Sequence, residues 1–115
     1  MTDPVAPGPI EEVWLVEATY APAGAEARIP FRAEHIARLQ GLKAAGIVVG
    51  AGAFIDVSAT IASIRAGTAA EVLALVRPDV YMRNGVWVEV RDRPFGRVRD
   101  CTGPSPARLH RDRRA

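Results

Sequence analysis

The alternation of strand-like and helix-like stretches restricts the fold of this chain more than any other feature of its sequence. Stretches rich in β-branched and aromatic residues predict strands, and apolar residues repeated every three or four positions predict helices. The predicted strands cover residues 11–21, 47–54, 59–66 and 86–95, and the predicted helices cover residues 31–45 and 69–76. The order β-α-β-β-α-β is typical of an α+β, ferredoxin-like protomer, in which two helices cover one face of a four-stranded antiparallel sheet.

Residues that favour helix ends and turns support these boundaries. Pro30 fits the start of the first helix, where its missing N–H costs no hydrogen bond. Gly46 fits the position just after that helix, and Thr68 fits the N-cap of the second helix. The pair Asn84-Gly85 is a strong turn signal before the last strand. Glycines in the second strand indicate a bulge or a close approach of another group to the backbone.

The length of 115 residues predicts one domain with two loose ends. Residues 1–10 contain three prolines and one glycine, and we expect a flexible N-terminal arm there. The domain itself should cover residues 11–98, with a loop at residues 22–30. Residues 99–115 combine many arginines with proline, glycine and serine, which predicts a disordered basic tail.

The net charge of +2 is unevenly distributed. Residues 96–115 carry a net charge of +4, which leaves the rest of the chain at −2. The body of the domain therefore offers no basic surface, and no nucleic-acid partner is expected. Nucleic-acid binding through the arginine-rich tail is the alternative, although a solvated tail explains the same residues.

The residue types that build metal, cofactor and disulfide sites are scarce. Cys101 is the only cysteine, so no internal disulfide can form, which fits a reducing compartment. One cysteine and two histidines, His35 and His110, supply no zinc-ligand cluster, and neither a metal nor a cofactor is expected. Gly50 and Gly52 lack the spacing of a phosphate-binding loop.

The sequence also predicts no membrane partner. No apolar run approaches the roughly 18 residues needed to span a bilayer. The acidic, proline-rich start lacks the basic and apolar blocks of a secretory signal. We therefore expect a cytoplasmic protein.

The first strand is apolar on both faces, although an antiparallel sheet with one solvated face should alternate apolar and polar residues. One face carries Trp14, Val16, Ala18 and Tyr20, and the other carries Val13, Leu15 and Glu17. Two helices can cover only one face. A second copy of the chain is therefore expected on the other, in a homodimer whose sheets pack face to face. The alternative is a monomer whose second face is partly covered by its termini.

His35 occupies the apolar stripe of the first helix, together with Phe31, Leu39 and Leu42. Its side chain should point toward the sheet or toward the rim between helix and sheet. The functional hypothesis is that His35 is a catalytic acid–base group, which requires a second group to orient and stabilise the imidazole. The alternative is a core histidine that is satisfied by a backbone carbonyl.

Asp79 is the candidate partner of His35. It lies between the second helix and the fourth strand, at an end of the sheet that the first helix can also reach. The alternative is that Asp79 caps a short helical turn at residues 80–84. Because the two residues are 44 positions apart, the sequence does not decide whether they touch.

Three further residues are candidates for binding a small-molecule ligand. Arg32 precedes His35 by about one helical turn and could hold a carboxylate with a forked pair of hydrogen bonds. Pairing with Glu34 or with a partner chain is the alternative for this arginine. Gly52 would let a ligand approach the backbone, and Tyr81 could stack on one, although core packing also explains Tyr81.

Two segments resemble the YciI-like (YCII-related) family. The segment "RAEHIARLQGLKAAGIVVGAGAF" is similar to the family pattern R-x-x-H-[LI]-x-x-L followed by G-x-[LI]-x-x-x-G. The segment "DVYMRNGVWVEVRDRPF" is similar to D-P-x-x-x-x-G-[LV] with a final strand that ends in P-[FW]. The resemblance covers about residues 11–98 and places His35 and Asp79 on the histidine and aspartate of the family.

The resemblance implies a dimeric α+β barrel of ferredoxin-like protomers, with His35 and Asp79 as an active-site pair near the barrel rim. Related families on this fold include muconolactone isomerases, dehalogenating lyases and cofactor-independent monooxygenases. The chain departs from the family pattern at Val80 and Ala53, where the family has prolines.

The expected function is that of a cofactor-free lyase or isomerase acting on a small cyclic or aromatic metabolite. His35 would remove or relay a proton, and Asp79 would fix the tautomer of the ring and stabilise the imidazolium. The alternative is a non-enzymatic small-molecule-binding or accessory protein that uses the same dimer cavity, with the two side chains as polar anchors.

Overall fold

A computed structural model describes residues 9–99, so most of the predicted arm, almost all of the predicted tail, Cys101 and His110 lie outside the described residues. The elements are β1 (Ile10–Tyr20), α1 (Gly24–Ala27), a 3₁₀ turn (Ile29–Phe31), α2 (Arg32–Ala44), β2 (Val48–Ala53), β3 (Ala59–Ile64), α3 (Ala69–Val76), α4 (Val80–Arg83) and β4 (Trp87–Val98). None of these helices is long and apolar enough to cross a membrane.

The four strands form one sheet in the order β2-β3-β1-β4. β3 pairs antiparallel with both β1 and β2. This is the strand order of a ferredoxin-like βαββαβ protomer, so the predicted α+β class is confirmed. Because β4 lies at an edge of the sheet, Pro94 can occur inside it without removing a hydrogen bond from a central ladder.

The chain divides into two compact units. Residues 12–95 contain all of the helices and most of the sheet. The second unit combines the two ends of the described chain. There the main-chain N–H of Arg99 donates to the carbonyl of Pro9 at 2.6 Å, and Arg97 pairs with Glu11 at 3.3 Å.

The predicted helix ends are confirmed at the residues that carry the signals. Gly46 follows α2 with a φ of +78°, and Gly85 closes the turn before β4 with a φ of +71°. Both values lie in the left-handed region that glycine adopts without steric cost. The hydroxyl of Thr68 accepts the N–H of Glu71 at 3.2 Å and so caps α3, which spans the predicted residues.

Most boundaries differ from the sequence expectations by one or two residues, as at β3, which ends at Ile64, and two regions differ by more. Residues 22–30 are not a simple loop, because alanine-rich chain there forms α1 and the 3₁₀ turn. β4 continues past its predicted end at Phe95 to Val98. Gly96 does not end the strand. A Cβ at Gly96 would come within 3.0 Å of Ile10, so this glycine permits a close approach of another side chain.

The core lies between the helices and one face of the sheet. β1 contributes alternate residues to it, and these pair across to β3 as Val16↔Ala62 and Ala18↔Thr60. The buried members are Val16, Ala18, Tyr20, Val48, Ile64, Val72, Val76, Val80, Tyr81, Val86 and Trp87. The intervening β1 residues, with Leu15 among them, belong to the opposite face of the sheet.

Candidate active site

His35 and Asp79 are in contact within one protomer. The Nδ1 atom of His35 lies 2.9 Å from Oδ1 and 3.1 Å from Oδ2 of Asp79. Both residues are buried, with 6% of His35 and 5% of Asp79 exposed. The partner of the imidazole is therefore a buried carboxylate, and not the backbone carbonyl expected for an ordinary core histidine.

Asp79 is also the N-cap of α4, so both interpretations of this residue apply. Its Oδ1 accepts the N–H of Tyr81 at 2.9 Å. Nη1 of Arg38 donates to its Oδ2 at 3.4 Å, and Nη2 of Arg38 donates to the carbonyl of Leu75 at 2.7 Å. Donors from α2 and α4 thus fix the orientation of the carboxylate that faces His35.

These contacts set the ionisation of Asp79. Burial alone would raise the pKa of its carboxyl. The hydrogen bonds from His35 and from the Tyr81 N–H, with the charges of His35 and Arg38, outweigh burial and hold the pKa of Asp79 below its ordinary value. The residue beside the imidazole is therefore a carboxylate at neutral pH.

Two aromatic rings confine the imidazole. The Tyr81 ring stacks on His35 with centroids 3.9 Å apart and planes 10° apart. Trp87 meets His35 edge-on, with centroids 5.2 Å apart and planes 90° apart. A ring held by a stack, an edge contact and a carboxylate has little freedom to rotate, so its second nitrogen has a defined direction.

That second nitrogen, Nε2, makes no hydrogen bond with any residue between 9 and 99. In a neutral ring the nitrogen that faces a carboxylate carries the proton, and the other nitrogen keeps a lone pair. His35 lines two adjoining pockets. The arrangement provides an oriented base at the wall of a cavity.

One of these two pockets, here named the outer pocket, is lined in part by polar residues from several elements. Its lining includes Tyr20, Arg28, Arg32, His35, Gly52 and Tyr81. The three predicted ligand-binding residues, Arg32, Gly52 and Tyr81, therefore line the same pocket as His35. Among residues 9–99 Arg32 forms no ion pair with Glu34, and Glu34 pairs with Arg83 at 3.1 Å.

The inner pocket lies between the helices and the sheet and is almost entirely apolar. Its walls include Val16, Leu39, Leu42, Ile64, Val76 and Trp87, with His35 and Asp79 among its few polar members. Within residues 9–99 no three histidine, cysteine, aspartate or glutamate residues come close enough to ligate one metal ion.

Three residues of the site are not predicted from the sequence. Arg28 lies in the predicted loop at residues 22–30, where no sequence pattern indicates a site residue. Arg38 lies one turn after His35, and this spacing could have placed it near the same partner. Trp87 lies in the predicted fourth strand, and its ring contacts that of His35.

Comparison with known proteins agrees with this fold. The YCII-related domain family matches residues 13–96. Among solved structures, the chain is similar to 5-chloro-2-hydroxyhydroquinone dehydrochlorinase (TftG) from Burkholderia phenoliruptrix AC1100, in complex with 2,5-dihydroxybenzoquinone. That similarity has a TM-score of 0.65 and 21% sequence identity, and it covers 72% of this chain and 92% of the other. No curated protein matches the chain.

The fold and the site define a class of ferredoxin-like α+β proteins with a buried histidine–aspartate pair beside a pocket. The family match covers most of the chain. The chain belongs to the YCII-related family.

Proposed function

We propose that this protein is a cofactor-free lyase or isomerase that acts on a small cyclic or aromatic metabolite by general acid–base chemistry. The observation that carries the proposal is the contact of 2.9 Å between Nδ1 of His35 and Asp79, which leaves Nε2 without a hydrogen bond among the described residues. His35 and Asp79 are the proposed catalytic residues, and Arg32, Gly52 and Tyr81 are proposed to bind the substrate.

The reaction begins when Nε2 takes a proton from a carbon or hydroxyl of the substrate. The electron pair left behind forms a new π bond. If a leaving group such as chloride departs with its own electron pair, the reaction is an elimination. If the proton returns to another atom, it is an isomerisation. Neither course needs an oxidant, and His35 gains the proton that the substrate loses.

Asp79 stabilises the imidazolium that forms and keeps the proton of the neutral ring on Nδ1. General acid–base catalysis of this kind contributes about 10²–10⁴ in rate. The stacked Tyr81 ring and the Trp87 edge reduce the reorganisation that His35 needs, which favours reaction from the bound geometry. The similar solved structure is a dehydrochlorinase bound to a quinone, and this supports testing chlorinated hydroxyhydroquinones first.

We also propose that the protein is a homodimer. The sheet face opposite the helices presents an open, mostly apolar surface that includes Leu15, Ile61 and Phe95. Phe95, which belongs to this surface, is 44% exposed. A second copy of the chain packed on this face would remove that surface from water.

The test of the proposed activity is turnover of chlorinated hydroxyhydroquinones, followed by chloride release, together with hydroquinones followed by exchange of C–H for deuterium in D₂O. His35→Gln should remove the activity, and Asp79→Asn should lower kcat by about 10²–10⁴. Arg77→Gln removes an exposed arginine outside both pockets and should leave the activity unchanged. Ligand binding by the native protein without any turnover would contradict the enzyme and favour a binding protein.

A further inference from the structure

The outer pocket is lined by two arginines that belong to neighbouring turns. Arg28 follows α1, and Arg32 begins α2. Neither forms an ion pair with a carboxylate among residues 9–99. Two cations at one pocket repel each other, and this cost is offset when an anion binds between them.

Contacts with α1 and with the Tyr20 ring fix the position of Arg28. Its N–H donates to the carbonyl of Gly24 at 2.9 Å, and its guanidinium carbon lies 5.9 Å from the centroid of the Tyr20 ring. Gly24 is buried against Tyr20, so closely that a Cβ there would come within 2.8 Å of the Tyr20 Cβ. α1 can rest on this ring only because position 24 has no side chain.

The two arginines also act on the phenol of Tyr81. Burial and the neighbouring Tyr20 raise the pKa of Tyr81, while the charges of Arg28 and Arg32 act in the opposite direction. Both guanidinium groups are therefore close enough to influence the ring that stacks on His35. At neutral pH Tyr81 keeps its proton and remains a hydrogen-bond donor.

The cationic outer pocket and the apolar inner pocket adjoin each other. His35, Leu39, Ala51 and Thr60 line both of them. A molecule lying across these shared residues would have one end beside the arginines and the other among aliphatic side chains. His35 would face its middle.

We infer that the substrate class of this site is a small organic oxyanion with an apolar ring, whose carboxylate or phenolate is held by Arg28 and Arg32 while the ring enters the inner pocket past His35. This rests on the proposed function for the reaction itself, but anion binding can be measured without turnover. Arg28 is thus a substrate-binding residue that confers specificity for negative charge. Guanidinium groups suit this role because their planar N–H pairs match both oxygens of a carboxylate.

The test compares ligands that differ in charge but not in shape. Benzoate and benzamide form one pair, and cyclohexanecarboxylate and cyclohexanecarboxamide form a second pair with a non-aromatic ring. Binding is followed by titration calorimetry and by amide shifts in ¹H–¹⁵N spectra of the full chain. At least one carboxylate should bind at least about tenfold more tightly than its amide, since a charge-assisted forked pair distinguishes the two.

Variants assign the effect to the arginines. Arg28→Gln and Arg32→Gln should each weaken carboxylate binding by about tenfold and leave amide binding unchanged. Arg77→Gln, which removes an exposed arginine outside both pockets, should change neither. Arg28→Lys keeps the charge but not the fork, and an intermediate loss is expected. If Arg28→Gln does not fold, Arg28→Lys and Arg32→Gln supply the same comparison.

Two outcomes overturn the inference: carboxylates that bind no better than amides, or carboxylate affinity that Arg28→Gln leaves at the native level. His35→Gln separates this inference from the proposed activity, because it should abolish turnover while carboxylate binding persists. Carboxylate binding that depends on Arg28 in a protein with no turnover would sustain the anion site and refute the enzyme. Turnover of neutral substrates that Arg28→Gln leaves unchanged would sustain the enzyme and refute the anion site.

Discussion

The His35 imidazole lies flat on the Tyr81 ring, with centroids 3.9 Å apart and planes 10° apart. Asp79 precedes Tyr81 by two residues. Its carboxylate accepts hydrogen bonds from Nδ1 of the His35 ring and from the Tyr81 N–H. One short segment therefore supplies the carboxylate that orients the imidazole and the ring that supports it. Any movement of α4 would alter both contacts together.

Asp79 should make the stability of the protein depend on pH. Its pKa in the folded chain is below the ordinary value of 3.8. The stabilisation of the fold by ionised Asp79 is therefore complete above pH 3.8, and it is lost as the pH falls through the lower pKa of the folded state. Asp79→Asn should reduce the free energy of unfolding by about 2 kcal/mol at pH 7, and the gap to the native protein should narrow in strong acid.

Urea denaturation at about pH 5 and about pH 2 measures this gap. Glu26→Gln is the control, because it removes an exposed carboxylate from α1. A difference between Asp79→Asn and the native protein that is equal at both pH values would show that the ionisation of Asp79 does not stabilise the fold.

Gly24 and Gly41 should respond in opposite ways to alanine. A Cβ at Gly24 would lie 2.8 Å from Cβ and 2.9 Å from Cδ1 of Tyr20, whereas a Cβ at Gly41 meets nothing within 4 Å. Gly24→Ala should cost about 1–3 kcal/mol of stability. Gly41→Ala should add up to about 1 kcal/mol, because alanine favours the helix interior. Thermal or urea denaturation measures the stability of both variants. Equal losses of stability at both sites would contradict the packing of α1 on Tyr20.

The two tryptophans should differ in the cost of losing their indole N–H. Nε1 of Trp14 donates to the carbonyl of Ala66 at 3.1 Å, whereas Nε1 of Trp87 is buried without a partner among residues 9–99. A buried donor left unpaired costs about 1–3 kcal/mol. Removing the Trp87 N–H should therefore offset part of the stability that the loss of indole packing costs. Relative to the apolar area each loses, Trp87→Phe should therefore destabilise the protein less than Trp14→Phe. Urea denaturation measures both variants, and a larger loss at Trp87 would mean that its N–H has a partner in solution.

A charge on the open sheet face should dissociate the proposed dimer. Ile61→Arg places a cation in the apolar surface that would be buried between the two sheets. Burying this unpaired charge should cost more free energy than burial of the apolar surface contributes to the dimer. Sedimentation velocity should give twice the mass of one chain for the native protein and a single chain for the variant. Gln40→Arg, on the exposed side of α2, is the control and should stay dimeric. A native protein that sediments as one chain refutes the dimer.

Short-range signals predicted much of this fold, and long-range contacts explain what was missed. The cap at Thr68 and the turn glycines Gly46 and Gly85 depend on neighbouring residues, so the sequence shows them directly. The meeting of His35 and Asp79 joins residues 44 positions apart, and only the tertiary structure decides it. The two interpretations of Asp79 are compatible, because one carboxylate can accept hydrogen bonds from both an N-cap amide and an imidazole.

Arg28 illustrates a different limit. Its segment contains alanines, glycine and isolated charges, and no periodicity distinguishes a short helix from a loop over so few residues. The packing of Gly24 on Tyr20 decides the matter, and this contact is not visible in the sequence.

The proton on the His35 ring tests the central claim most directly. Long-range ¹H–¹⁵N correlation spectra distinguish the two tautomers of a neutral imidazole, and His110→Gln leaves His35 as the only histidine. Recorded at a pH where the ring is neutral, the native spectrum should show the proton on Nδ1, facing Asp79, with Nε2 unprotonated. Asp79→Asn should weaken that preference. A proton on Nε2 in the native protein would mean that no base faces the pocket, and it would contradict the proposed mechanism.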